Sequence, residues 1–144
     1  HMGYPKSHDE LEILRTARTA YDAIELNPVA TREEVRRLQT LSARVFVEDS
    51  VLEFLLKIIA ATRTETEFKT GISVRGGLAL KRAAQARALL RGSDYVVPED
   101  VSELVAPVFA HRLALQRPGS DALEERRVII GALKRIVGTI PPPV

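Results

Sequence analysis

An all-α helical bundle, with room for one short two-stranded hairpin, is the fold that this sequence of 144 residues predicts. Three observations carry that prediction. Apolar residues recur at three- and four-residue spacing in successive segments, the pattern of helices with one buried face. Helix-start signals of the S/T-x-x-E form stand before two of those segments, as Ser7-His-Asp-Glu10 and Thr31-Arg-Glu-Glu34. Breakers separate the segments, notably Asn27-Pro28 and the turn-rich Arg117-Pro-Gly-Ser-Asp121.

The first helix is read over 8–23, with Leu11, Leu14, Ala17 and Tyr21 on one face. Asn27-Pro28 ends it, because the residue before a proline is pushed out of helical geometry. The second, over 32–43, carries Val35, Leu38 and Leu41. Val45-Phe-Val47 is too short to decide between a strand and an extended link. Ser50 to Thr62 is the third helix, with Val51, Leu52, Leu55, Ile58 and Ile59 aligned. The polar stretch Arg63 to Thr70 suits a surface loop that could hold the hairpin.

Arg75 to Arg91 is the expected centre of the bundle, since Ala79, Ala83, Ala84, Ala86 and Ala88 let neighbouring helices approach closely. Asp94 to Val97 is a short extended connection, and Pro98 opens the next helix at its first position, where a missing N–H costs nothing. Glu99 and Asp100 complement the dipole of that first turn. Pro107 is expected to break or kink this helix, leaving Val108 to Leu115 as a second piece. Ala122 to Val137 is the last helix, followed by the extended Pro141-Pro142-Pro143. No internal repeat and no second domain are visible.

The chain is 45% hydrophobic and 28% charged, enough for a core and for solubility, and its length corresponds to one domain. No apolar run is long enough to span a bilayer, and no leader pattern opens the chain, so a cytoplasmic location is expected. With no cysteine, disulfides and thiolate metal sites are excluded. His1-Met2 reads as the remnant of a cleaved expression tag, so residues 1–3 are set apart from a domain spanning 4–144.

The most informative run is Gly71-Ile-Ser-Val-Arg-Gly-Gly-Leu78. Gly71 and Gly76 have the spacing of a phosphate-binding loop, but Gly77 and Leu78 stand where that loop needs Lys and Ser or Thr. What remains is a turn, then a helix whose first residue is Arg75. On position alone this arginine reads as a solvated side chain, because a positive charge there opposes the dipole. Set among the free N–H groups of a helix start, however, a guanidinium is also well suited to reach a phosphate held by something else.

Gly71-Ile-Ser-Val-Arg75, Gly92-Ser-Asp-Tyr-Val-Val-Pro-Glu-Asp-Val101 and Ala110-His-Arg-Leu113 occur in that order. Together they resemble the C-terminal lid of MoxR-type AAA+ ATPases, whose segments read roughly Gly-Ala-Ser-Pro-Arg, Gly-Arg-Asp-Tyr-Val-Thr-Pro-Asp-Asp-Val and His-Arg-hydrophobic. The resemblance covers about Tyr4 to Leu113. Val74 departs from the family proline, and Gly76-Gly77 from larger residues, which predicts a looser helix start.

The resemblance implies that Arg75 is the sensor 2 arginine, crossing from the lid to the terminal phosphate of ATP bound with Mg²⁺ in an upstream core domain. It implies that Tyr4 and Pro5 line the junction with that domain. It implies a hexameric ring acting as a chaperone-like remodeller, often with a von Willebrand factor A-domain partner. Lacking the Walker elements, the isolated chain is expected to bind ATP weakly or not at all and to have no enzymatic activity.

Other chemistry is weakly supported. His111 and Arg112 could suggest an acid/base or phosphate site, but no second histidine or fixed carboxylate accompanies them, so packing of His111 at a helix end is expected. Metal-ligand spacing and a nucleophilic serine setting are both absent. The pI near 9.2 invites nucleic acid, with 75–91 as a major-groove helix, yet net charge is only +2 and acids are interleaved, as at Glu33 and Glu34 beside Arg36 and Arg37. That reading stands second. A pure assembly module, in which Arg75 could be replaced harmlessly, is the third.

Overall fold

The apolar spacing resolves into six helices among the described residues: α1 (Ser7–Ala20), α2 (Arg32–Arg44), α3 (Asp49–Thr64), α4 (Val74–Leu90), α5 (Pro98–Phe109) and α6 (Ala122–Thr139). The computed structural model describes residues 5–20, 27–117, 119 and 121–143, excepting the side chains of 16–20. The predicted end of the first helix at residue 23, and Tyr21 within it, lie outside the described residues. The chain divides into two units, His1–Glu34 and Val35–Val144.

In the first unit, the box foreseen at Ser7 does not cap α1. Ser7 is already helical, and the Glu10 N–H bonds to the Lys6 carbonyl at 3.0 Å. The Thr31 box does form. Glu34 accepts from the Thr31 N–H at 2.6 Å and from its hydroxyl at 2.9 Å, while the Glu34 N–H donates to Thr31 Oγ1 at 3.2 Å. These bonds favour the charged carboxylate and hold Glu34 below the usual glutamate range.

The second unit holds the core. Phe54, Ile58, Leu80, Val105, Phe109 and Leu133 are buried where α3, α4, α5 and α6 meet. Each such side chain contributes about 1.5–3 kcal/mol through burial. Ala84 and Ala88 are the small residues of α4 that reach this core, one turn apart, and α5 makes its broadest contact along α4. The apolar residues of α2 contribute nothing here, since Val35, Leu38 and Leu41 remain exposed.

The end of α4 explains Gly92. It lies at φ +78°, where its N–H bonds the Leu89 carbonyl and the Ser93 N–H bonds the Ala88 carbonyl, each at 2.9 Å. This pair of bonds closes the helix and needs the left-handed conformation that glycine adopts freely. The chain then turns so that Asp94 to Val96 lies beside Phe46, in a parallel bridge between Phe46 and Tyr95.

Asp100 does far more than the dipole role foreseen for it. Its side chain is 2% exposed and takes Arg87 Nε at 3.2 Å and Arg91 Nη2 at 2.9 Å. It also accepts the Val97 N–H at 3.0 Å, so one carboxylate ties the last turns of α4 to the first turn of α5. Arg87 additionally pairs with Glu103.

Three expectations change. Pro107 does not break α5, because it falls in the last turn on an exposed face, where the missing N–H removes only one helical bond. The helix continues to Phe109 and tightens into a 3₁₀ turn over Ala110–Arg112, so no helix spans 108–115. The hairpin is absent from the described residues as well. In its place Phe68, buried at 6%, anchors the 63–70 loop and bridges Leu115 antiparallel, with Lys69 N–H on Ala114 O and Gln116 N–H on Glu67 O at 2.8 Å.

Asp100→Ala is expected to lower the unfolding free energy by about 2–3 kcal/mol, less than for a fully buried pair because both arginines reach solvent. Asp100→Asn, which keeps an acceptor for Val97, should cost less, and urea unfolding will measure both. Glu34 should titrate below the ordinary glutamate range by NMR and move only part of the way back in Thr31→Ala, which removes the hydroxyl bond but keeps the Thr31 backbone N–H. Since its folded pKa is depressed, the stability it adds is complete above the ordinary pKa and is lost as pH falls through the folded one.

Candidate functional site

The segment that delivers Arg75 is fixed before the helix begins. Thr62, in the last turn of α3, is fully buried. Its hydroxyl donates to the Ile59 carbonyl at 2.7 Å and accepts the Ile72 N–H at 3.0 Å. Arg63 Nε donates to the Ile72 carbonyl at 3.0 Å, so both backbone groups of Ile72 are held by neighbouring residues of α3. Gly71 permits this contact, for a Cβ there would lie 2.5 Å from the Arg63 Cα.

Ser73 then caps α4, with Oγ accepting the Gly76 N–H at 3.3 Å and its carbonyl accepting the Gly77 N–H at 3.1 Å. The looser helix start predicted from Gly76-Gly77 is not what forms. Both glycines are buried, because a Cβ at Gly76 would meet Ile72 Cγ2 at 2.6 Å and one at Gly77 would meet Ile59 Cδ1 at 2.5 Å. Their lack of side chains presses the first turn onto Ile72 and α3. The serine cap and this packing offset the weak helical propensity of two glycines.

Arg75 follows the cap and is exposed, with no acidic partner among the described residues. It opens onto a recess of about 460 Å³ lined by Thr70, Gly71, Ser73, Arg75, Gly76 and Arg112. The 3₁₀ turn after α5 brings Arg112 there from the opposite side. Its Cδ lies 3.7 Å from where a Gly76 Cβ would be, and its Nη1 is 2.8 Å from His111 Nε2. A guanidinium can only donate, so Nε2 acts as the acceptor. His111 does stand at a helix end, in the 3₁₀ turn after α5, but it is exposed and not packed as expected.

Chemically, the recess combines two fixed positive charges with a helix N-terminus, and its lining includes no carboxylate. Such a surface is complementary to an anion. Among the described residues no group of three or more His, Asp or Glu could hold a metal ion, and no helix is long and apolar enough to cross a membrane. Tyr4 lies outside the described residues, and Pro5 is exposed in the first unit, so the recess is built from the second unit alone. Sequence reasoning missed Thr62 and Arg63 and left Arg112 without a role, because their meeting with 71–76 is a tertiary event.

The sequence pattern of the AAA lid domain family matches residues 60–130, from the end of α3 into α6, and so includes Thr62, Arg75, Asp100 and Arg112. Residues 60–130 carry an AAA lid domain. It is 37% identical over 114 residues to the YeaC protein of Bacillus subtilis, covering 79% of this chain and 36% of that protein. Chaperone MoxR1 of Mycobacterium tuberculosis is 29% identical over 151 aligned positions, 99% of this chain and 39% of that one. Protein MoxR of Paracoccus denitrificans is 43% identical over 75 residues, 51% of this chain and 21% of its own length. A crystal structure of a candidate ATPase from Cytophaga hutchinsonii superimposes with a TM-score of 0.65 at 26% identity, over 95% of this chain and 44% of that one. The lid chain therefore spans less than two-fifths of the YeaC and MoxR1 proteins.

The close approach at Gly71 yields a direct check. Gly71→Ala should push the 70–73 segment of the lid away from α3, costing about 1–3 kcal/mol as an overpacked contact does. Amide exchange at Ile72 should accelerate beyond the change in global stability. Unchanged protection of that amide would contradict the clamp.

Proposed function

We propose that this lid serves the ATPase cycle of a MoxR-type AAA+ protein, with Arg75 as its sensor of the nucleotide's terminal phosphate. The observation that carries the reading is the Arg75 guanidinium, without an acidic partner among the described residues and held at a capped and clamped helix start on a recess lined by no carboxylate. The family match and the relatives named MoxR support the same assignment.

In this reading a P-loop core domain precedes the lid and binds ATP with Mg²⁺. The lining of the recess fits the phosphate end of that nucleotide and not its metal, which the core domain holds. ATP supplies the phosphoanhydride to be cleaved. Arg75 supplies a positive charge on the developing terminal phosphate, and its contribution is positioning and electrostatic stabilisation, not proton transfer. Because α3 and the Gly71–Ser73 segment move with Arg75 as one packed piece, the orientation of the lid is coupled to the presence of that phosphate.

The wider assembly is part of the proposal. Such lids complete a ring, here a homohexamer in the cytoplasm, whose ATP cycle remodels protein complexes in a chaperone-like way, with a von Willebrand factor A-domain protein as partner. Tyr4 and Pro5 mark the passage from the core domain. The nucleic-acid alternative loses ground to the packing of α4, whose Leu80, Ala84 and Ala88 are buried in the bundle and whose Arg87 and Arg91 are engaged by Asp100.

In the full-length protein, Arg75→Ala is expected to reduce ATP turnover about 100-fold or more while largely preserving nucleotide binding. Turnover equal to that of the unaltered protein would refute the sensor role and favour a pure assembly module.

A further inference from the structure

We propose that Arg112 is a second phosphate-binding residue of the lid, acting beside Arg75 on the same nucleotide polyphosphate. This rests on the reading of Arg75 as the phosphate sensor. Arg112 differs from the carboxylate-paired Arg87, Arg91 and Arg135 in that it lines, with Arg75, a recess whose lining has no carboxylate. Arg87 and Arg91 share Asp100, and Arg135 pairs with Glu67 at 2.8 Å. Arg75 and Arg112 have no such partner among the described residues, yet both line one recess.

Their convergence is built, not incidental. The antiparallel bridge between Phe68 and Leu115 draws the chain after α5 against the loop that precedes α4. The absence of a side chain at Gly76 leaves room for the Arg112 stem over the first turn of α4, with Cδ 3.7 Å from the missing Cβ position. His111 Nε2 then takes one N–H of the guanidinium at 2.8 Å, fixing its plane and leaving its other donors open. Two arginines that line one recess without a carboxylate offer an incoming anion two positive charges at once. A polyphosphate offers several oxygens, enough for both, and the planar fork of arginine suits bidentate contact with them.

The alternative is that Arg112 serves only through its stem, as a cover for Gly76. The two differ in what they predict for the full-length protein. Arg112→Ala should lower kcat by about 10- to 100-fold and weaken binding of ATP more than of ADP, as loss of charge-assisted hydrogen bonds does. Arg112→Lys should recover part of the activity, keeping the charge without the fork. The Arg75→Ala, Arg112→Ala double variant should lose less than the product of the two single losses, because both residues act on one ligand.

Wild-type turnover and ATP affinity in Arg112→Ala, alongside loss of turnover in Arg75→Ala, would overturn this role for Arg112 and leave the sensor reading standing. A silent Arg75→Ala would remove both. Arg112→Gln, which keeps the stem and removes the charge, guards against a folding effect. Activity restored by that variant would overturn the proposal, and activity as low as in Arg112→Ala, with thermal unfolding unchanged, would support it.

Discussion

The segment that carries Arg75 to the recess depends first on one hydroxyl. Thr62 donates to Ile59 within its own helix and accepts the Ile72 N–H from the segment before the next one. A buried threonine can satisfy both groups at once, whereas an aliphatic residue of the same size would leave the Ile72 N–H unpaired at a cost of about 1–3 kcal/mol. With Arg63 on the Ile72 carbonyl and no side chain at Gly71, the segment is held from three directions. The start of α4 is thereby fixed relative to α3, and Arg75 is carried on a rigid base.

This rigidity matters because Arg75 sits where its charge is least favoured. A cation in the first turn opposes the helix dipole and competes with the free N–H groups for the same anions. Natural helices place carboxylates there, as α2 does with Glu33 and Glu34 and α5 with Glu99 and Asp100. The first turn of α4 contains no acid. A helix start with a positive charge and no counter-charge is a local electrostatic deficit, tolerated because the core packing of Gly76 and Gly77 offsets it. In the proposed function an arriving phosphate relieves that deficit, so that the lid responds to the nucleotide with few contacts.

Helix positions were largely legible in the sequence, because apolar periodicity, the Thr31 box and Pro98 each have a local physical cause. The features that escaped are those in which local and tertiary demands differ. Asp100 has the position of an ordinary dipole-complementing acid, and only the arrival of Arg87 and Arg91 one helix earlier makes it a buried hub. Pro107 carries the local signal of a break, but its place in the final turn makes the break unnecessary. Gly76-Gly77 looks like a weakness until the neighbours that fill the space become visible. Arg75 could be singled out from its motif, while Arg112 needed the pairing of Phe68 with Leu115 to join it.

In the proposed function the lid presents Arg75 to the terminal phosphate of a nucleotide held by another domain. A structure of the full-length protein with a non-hydrolysable ATP analogue and Mg²⁺ tests it most directly. An Arg75 guanidinium nitrogen is expected about 2.8 Å from an oxygen of the terminal phosphate, with Gly71 to Ser73 still clamped to α3. An Arg75 side chain left in solvent while the phosphate is fully engaged by the core domain would contradict it.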